Sequence, residues 1–221
     1  MSRKTQRVIL LLDTSGSMYG KPIESVKAAV SSLANKVEQF NSLSSRIELQ
    51  IIAFATEAKY ISKNKINDIV ACGRTNLADA YKKLNLIFKK HNKFDYPPII
   101  LLLCDGKPNI CNHEQALQKL YHNPAFRRSL KVAIAYGNQD ADTIQVLKDF
   151  AGSLENVLQH ENISTIRFLI QHSLPRVLKE QAKHDNQCYT PLMKLIKNDA
   201  KKYETFKRAS KRNSHVIKRN I

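Results

Sequence analysis

Two hydrophobic periodicities alternate along the chain. Five consecutive apolar residues, Val8-Ile9-Leu10-Leu11-Leu12, predict a strand covered on both faces, as in a parallel sheet. Pro22, tolerated in a first turn, then opens a helix along which Ile23, Val26, Val30, Leu33, Val37 and Phe40 recur at three- and four-residue steps. Over residues 46–55, Ile47, Leu49 and Ile51 alternate with Glu48 and Gln50, the pattern of a half-buried strand. Only Thr56-Glu57 separates it from a short return over residues 58–62, so the two form a hairpin at a sheet edge. A second amphipathic helix covers residues 76–91, through Leu77, Tyr81, Leu84 and Phe88, and after Pro97-Pro98 a second fully apolar strand occupies residues 99–104. Helices at 114–121, 142–151 and 164–174 then alternate with strands at 130–136 and 156–158. Strands with crossover helices define a doubly wound α/β fold, here a mostly parallel sheet with one antiparallel edge strand.

Pro175 marks the edge of this pattern, which divides the chain into an α/β domain over residues 1–174 and a C-terminal extension over 175–221. The extension loses strand patterning and turns basic. It holds 13 of the 36 Lys and Arg but 4 of the 19 Asp and Glu, and so about half of the net charge of +17. Leu192, Ile196, Tyr203 and Phe206 can form one face of a basic helix, and periodicity alone leaves a docked helix and a mobile tail equally open. A charge so unevenly placed points to acidic partners: nucleic acid, an anionic surface or an acidic protein.

Composition narrows the setting. The chain of 221 residues is 43% apolar, enough for a buried core, yet no stretch approaches the roughly 18 apolar residues of a membrane span. The charged N-terminus and the short run after it do not make a signal peptide, and a cytoplasmic location follows as an expectation. Cys72, Cys104, Cys111 and Cys188 have no zinc-like spacing; Cys111 lies close to His113, but no second pair completes four ligands. They read as reduced packing thiols, with a redox role for Cys72 and Cys111 as the other option.

The chemistry concentrates in Asp13-Thr14-Ser15-Gly16-Ser17, immediately after the first buried strand. In doubly wound sheets the carboxyl ends of the strands form the ligand crevice. From a tight loop outside the core, Asp13, Ser15 and Ser17 can project toward one point, with Gly16 easing the turn. Asp105 ends the apolar strand 99–104 at the same edge, and Thr75 lies where the second helix opens. Two carboxylates and three hydroxyls are a hard oxygen set suited to Mg²⁺, with Mn²⁺ as the alternative; Ca²⁺ would ask for more carboxylates.

In this D-x-S-x-S sequence, with the later Thr75 and Asp105, the chain resembles the von Willebrand factor A family and its metal-ion-dependent adhesion site. The resemblance covers roughly residues 7–174. It implies an antiparallel edge strand, hydroxyls that bind the metal directly, and aspartates that bind directly or through water. The open metal position would take a Glu or Asp from a partner and lose it to a chelator. The opening of the domain almost at Met1, the run Val8 to Met18 and the element Leu103-Cys104-Asp105-Gly106-Lys107-Pro108-Asn109 look like the bacterial TerY-type proteins linked to tellurite resistance. That likeness implies a stress-response adaptor working with a protein kinase or a metal-dependent phosphatase. Lys107 stands where an acidic residue is common, and no carboxylate follows before Glu114, so an acidic partner meets little repulsion.

An enzyme is not expected. The motif loops carry no His, the chain has no P-loop and no Ser-His-Asp order, Gly137 stands alone, and His113 is the one candidate base. The alternative function is nucleic-acid association. Lys201, Lys202, Lys207, Arg208, Lys211, Arg212, Lys218 and Arg219 would neutralise phosphates, and Tyr203 and Phe206 would stack on bases.

Overall fold

Six strands form one sheet in the order β3-β2-β1-β4-β5-β6. They are β1 (Thr5–Asp13), β2 (Arg46–Phe54), β3 (Ala58–Ile61), β4 (Ile99–Cys104), β5 (Leu130–Tyr136) and β6 (Val157–His160). All neighbours run parallel except β2 and β3, which form the expected antiparallel hairpin at one edge. The computed structural model describes residues 4–41, 46–91, 93–106, 108, 112–137, 139–183 and 189–219; within the last two segments the described side chains are those of 139–178 and 193–209. Lys107, Cys111 and Cys188, and the side chains of Leu192, Lys211, Arg212, Lys218 and Arg219, lie outside the described residues.

The unbroken apolar runs are explained by helices on both faces. Val8, Leu10 and Leu12 of β1 turn to one side with Leu101 and Leu103 of β4 and Val132 and Ile134 of β5. Ile9 and Leu11 turn to the other with Ile100, Leu102 and Ala133. The first side is covered by α1 (Lys21–Asn41), whose Ile23, Val26, Val30, Leu33 and Val37 are buried at the predicted spacing. The second is covered by α2 (Leu77–Lys90), α3 (His113–Tyr121), α4 (Pro124–Arg128) and α5 (Ala141–Ala151). The short α4 escaped the periodicity. Its signal is local: Asn123 Oδ1 accepts from the Ala125 and Phe126 N–H groups, and Pro124 sits in the first turn. Burying each large apolar side chain contributes roughly 1.5–3 kcal/mol, so two such layers dominate the stability.

The last helical stretch departs from expectation. It was expected to end at Leu174, but α6 (Ile163–Phe168) passes through a π-helical turn (Leu169–Ser173) into α7 (Leu174–Lys183) without a break at Pro175. Proline cannot donate to the carbonyl four residues earlier, that of Gln171. The Lys36 ammonium, reaching across from α1, donates to that carbonyl instead. The π turn is the type of distortion that lets a helix absorb a missing bond. Beyond it, Val177, Leu178 and, from α8 (Tyr189–Arg219), Met193, Ile196 and Ala200 are buried in the same core as α1. Tyr203 stacks on Phe168 with ring centroids 4.4 Å apart, whereas Phe206, expected on the same face, is 68% exposed.

Candidate metal centre at the carboxyl edge of the sheet

Strand register brings the candidate ligands together. Leu12 lies opposite Ala53 of β2 and Leu103 of β4, so the carboxyl ends of three adjacent strands finish level. Asp13 ends β1, and Asp105 follows the last residue of β4, one strand away. Asp13 is completely buried. It belongs to the strand end, a correction to the expectation of a loop position outside the core. Thr14 and Ser15 are buried as well, and Ser17 is exposed.

A short chain of hydrogen bonds links the polar groups. The Ser15 N–H donates to Asp13 Oδ1 at 2.9 Å, the Ser15 and Ser17 hydroxyls lie 3.0 Å apart, and Ser17 Oγ donates to Asp105 Oδ1 at 2.9 Å. Thr75 arrives by backbone stitching. The Gly16 N–H donates to the Gly73 carbonyl at 3.1 Å, and the Cys72 N–H to the Thr14 carbonyl at 2.9 Å. The Arg74 N–H donates to Thr56 Oγ1 at 3.0 Å, and Asn76 donates through its backbone to Ala55 and through its side chain to Thr56. This strap requires glycine at position 73. Its φ is +77°, and a Cβ there would meet Thr56 Oγ1 at 2.5 Å. Thr75 is buried at the mouth of α2, where Asn76 caps the helix by accepting from the Asp79 N–H.

Electrostatics leave the pair of carboxylates short of positive charge. Burial pushes the Asp13 carboxyl above the usual carboxylate range, against hydrogen bonds from Ser15 and Cys104 that pull it down. Burial and the neighbouring Asp13 together push Asp105 up to about 6. A buried and a half-buried carboxylate flanked by hydroxyls fit a divalent cation, which would supply the missing positive charge. Among the described residues no group of three or more His, Cys, Asp and Glu could hold a metal.

Two neighbours escaped the sequence reading. Cys104, read only as a packing thiol, donates to Asp13 Oδ2 at 3.1 Å and is fully buried. Gln139 Nε2 donates to the Asp105 carbonyl at 2.7 Å, tying the β5 end to the site. The alternation of apolar residues carries no signal for either contact. Cys72 is an exposed free thiol, and His113 is the first residue of α3.

Residues 8–107 match the family model described as von Willebrand factor type A domain. The fold is that of a von Willebrand factor type A domain. Proximal thread matrix protein 1 from the mussel byssus aligns with a TM-score of 0.60 at 19% identity, over 76% of this chain and 47% of its own. A structure of that protein described as having a zinc-occupied MIDAS motif aligns at 0.61 with 17% identity, over 79% and 46%. The von Willebrand factor type A protein from Catenulispora acidiphila aligns at 0.61 with 17% identity, over 77% and 42%. The vWF domain of the type V pili tip protein Mfa5 from Porphyromonas gingivalis aligns at 0.64 with 10% identity, over 84% and 99%. The chain thus spans about half the length of the structures it matches first. No curated protein matches it. Among the described residues no helix is long and apolar enough to cross a membrane.

Proposed function

We propose that this chain is a non-catalytic interaction module in which Asp13, Ser15, Ser17, Thr75 and Asp105 hold Mg²⁺, or Mn²⁺ in its place, and capture a partner carboxylate. The observation that carries the reading is the hydrogen-bonded cluster of Asp13, Ser15, Ser17 and Asp105 at the carboxyl edge of the sheet, with the Thr75 loop strapped beside it. A divalent ion there would act as an electrostatic anchor for an incoming Glu or Asp. The zinc-occupied motif named for the mussel relative supports a divalent ion at this place in the fold. Non-catalysis rests on the absence of His among the five candidate ligands, with His113 at the start of α3 as the one candidate base.

The finer reading is an intracellular, TerY-like adaptor whose acidic partner is a protein kinase or a metal-dependent phosphatase. It rests on the wording of the two motif loops and on the basic surface. The nucleic-acid alternative is weakened by the stack of Tyr203 on Phe168, which engages one of its two candidate aromatics; Phe206 remains exposed.

The test is capture from native lysate by wild type and Asp13→Asn, each with Mg²⁺ and with EDTA. Retention of a protein by wild type with Mg²⁺ alone supports the module. Retention indifferent to the substitution and to EDTA overturns it. Capture that survives EDTA but weakens steeply with salt moves the function to phosphate binding by α8.

A further inference from the structure

At the sheet edge opposite the hairpin, β6 pairs, among the described residues, only with β5. The His160 carbonyl accepts from the Gly137 N–H on the β5 side at 3.0 Å. Backbone groups alternate direction along a strand, so Gln159 turns its N–H and C=O away from β5 toward the open edge. Edge strands are commonly blunted by charge, proline or a bulge, and the four residues Val157-Leu158-Gln159-His160 carry no Lys, Arg, Asp, Glu or Pro.

Alongside this edge runs a groove of about 730 Å³ whose other wall is α8. That wall presents Lys194, Lys197, Lys201 and Arg208 at helical spacings of three, four and seven. All four are exposed, and none forms an ion pair with a described residue. The single carboxylate in the stripe, Glu204, is occupied by a hydrogen bond from Thr165 Oγ1.

We propose that this groove binds an acidic peptide segment in extended conformation, which adds a strand to the free edge of β6 while its carboxylates face the α8 cations. Main-chain pairing supplies affinity and alternate side chains supply specificity in this mode of recognition. At ~1.5 Å per helical residue the stripe from Lys194 to Arg208 is ~21 Å long. A strand rises ~3.3 Å per residue, so about six residues of peptide match it. A second copy of the chain is disfavoured as occupant by its net charge of +17. This surface is independent of the metal centre.

The experiment is fluorescence anisotropy with a labelled hexapeptide that alternates glutamate and valine, in EDTA so that the metal centre is silent. Wild type should bind, and Lys197→Glu with Lys201→Glu should weaken binding roughly tenfold or more. The same peptide N-methylated at alternate residues lacks the donors of the added strand and should bind roughly tenfold more weakly to wild type. Gln159→Pro removes the outward donor from β6 and should act in the same direction; a thermal melt in parallel reports on its fold. Equal affinity for the methylated and unmethylated peptides overturns the proposal. If a single-stranded oligonucleotide then competes and depends on Lys197 and Lys201, the stripe is a general polyanion surface. Charge reversals without effect, or no binding up to ~1 mM peptide, overturn it as well.

Discussion

The Cys104 thiol lies 3.1 Å from Asp13 Oδ2, across the neighbouring strands β4 and β1, and shares its one proton between that oxygen and the Gly106 carbonyl, also at 3.1 Å. It supports a carboxylate whose other oxygen accepts from the Ser15 N–H. Groups behind a metal ligand orient it, and their loss typically costs 10- to 100-fold in metal affinity. Cys104→Val keeps an apolar side chain of similar size and removes the donor. Calorimetric titration should find Mg²⁺ binding weakened about tenfold or more, with the thermal midpoint in EDTA shifted by a few degrees at most. Unchanged affinity would reduce the thiol to a packing group.

Asp13→Asn separates charge from shape. The amide keeps an acceptor for the Ser15 N–H at a completely buried position. It removes a charge that burial disfavours. In EDTA this variant should melt no lower than wild type. The rise in midpoint that Mg²⁺ gives wild type should vanish in it, because that rise reports binding to the native state. A variant still stabilised by Mg²⁺ would remove Asp13 from the ligand set.

Both aspartates make stability depend on pH. Asp105 is raised from 3.8 to about 6, and Asp13 is raised in the same direction. A carboxyl whose folded value exceeds its unfolded value binds its proton more tightly in the native state. Stability from it is therefore fully present below pH ~4 and is lost as pH rises through about 6. Other groups add their own slopes, so the informative quantity is the difference between wild type and Asp105→Asn, both in EDTA. The stability of wild type relative to the variant should fall between pH 4 and pH 7. Mg²⁺ must displace these protons, so its stabilisation of wild type should grow over the same window. A wild-type-to-variant difference that stays flat with pH would contradict the burial argument.

Tyr81 is fully buried between α2 and the sheet, stacked on Phe150 with ring centroids 5.7 Å apart, and its hydroxyl has no hydrogen-bond partner among the described residues. An unmet buried hydroxyl costs about 1–3 kcal/mol. Tyr81→Phe should raise unfolding stability by about 1 kcal/mol in denaturant titration. A loss of similar size would mean that the hydroxyl is satisfied in solution.

Much of this architecture was legible because burial writes itself into periodicity. The runs 8–12 and 99–104 are apolar at every position because helices cover both faces of β1 and β4. The same runs located the site, since Asp13 and Asp105 are the first carboxylates after each. The Cys104–Asp13 bond was not legible, because contacts across strands depend on register, and nothing in a single run specifies register. Thr75 was found as a residue type near a helix start, whereas the strap that holds it is made almost entirely of backbone groups. The path beyond Leu174 was misread for a different reason. Proline removes one hydrogen bond, and a distant lysine on α1 can supply it.

That lysine gives the last test. Lys36 donates to the Gln171 carbonyl, which Pro175 cannot bond, across a partly buried contact, so Lys36→Met should cost about 1 kcal/mol, the net contribution of a typical hydrogen bond. Pro175→Ala restores a backbone N–H near the Gln171 carbonyl, so the lysine should matter less in that background. The two substitutions should couple, with an interaction energy of at least ~0.5 kcal/mol in a double-mutant cycle. Additive effects would mean that the ammonium does not substitute for the missing helical donor. The stakes are structural, because the helix that passes Pro175 carries Val177 and Leu178 into the core and leads on to Met193, Ile196 and Ala200. A chain ending at Leu174 loses those five buried side chains. Each large one contributes roughly 1.5–3 kcal/mol, against a typical domain stability of about 5–15 kcal/mol. Such a truncation should therefore fail to give a cooperative melt, and a truncation that melts as sharply as the full chain would place the stability of the sheet elsewhere.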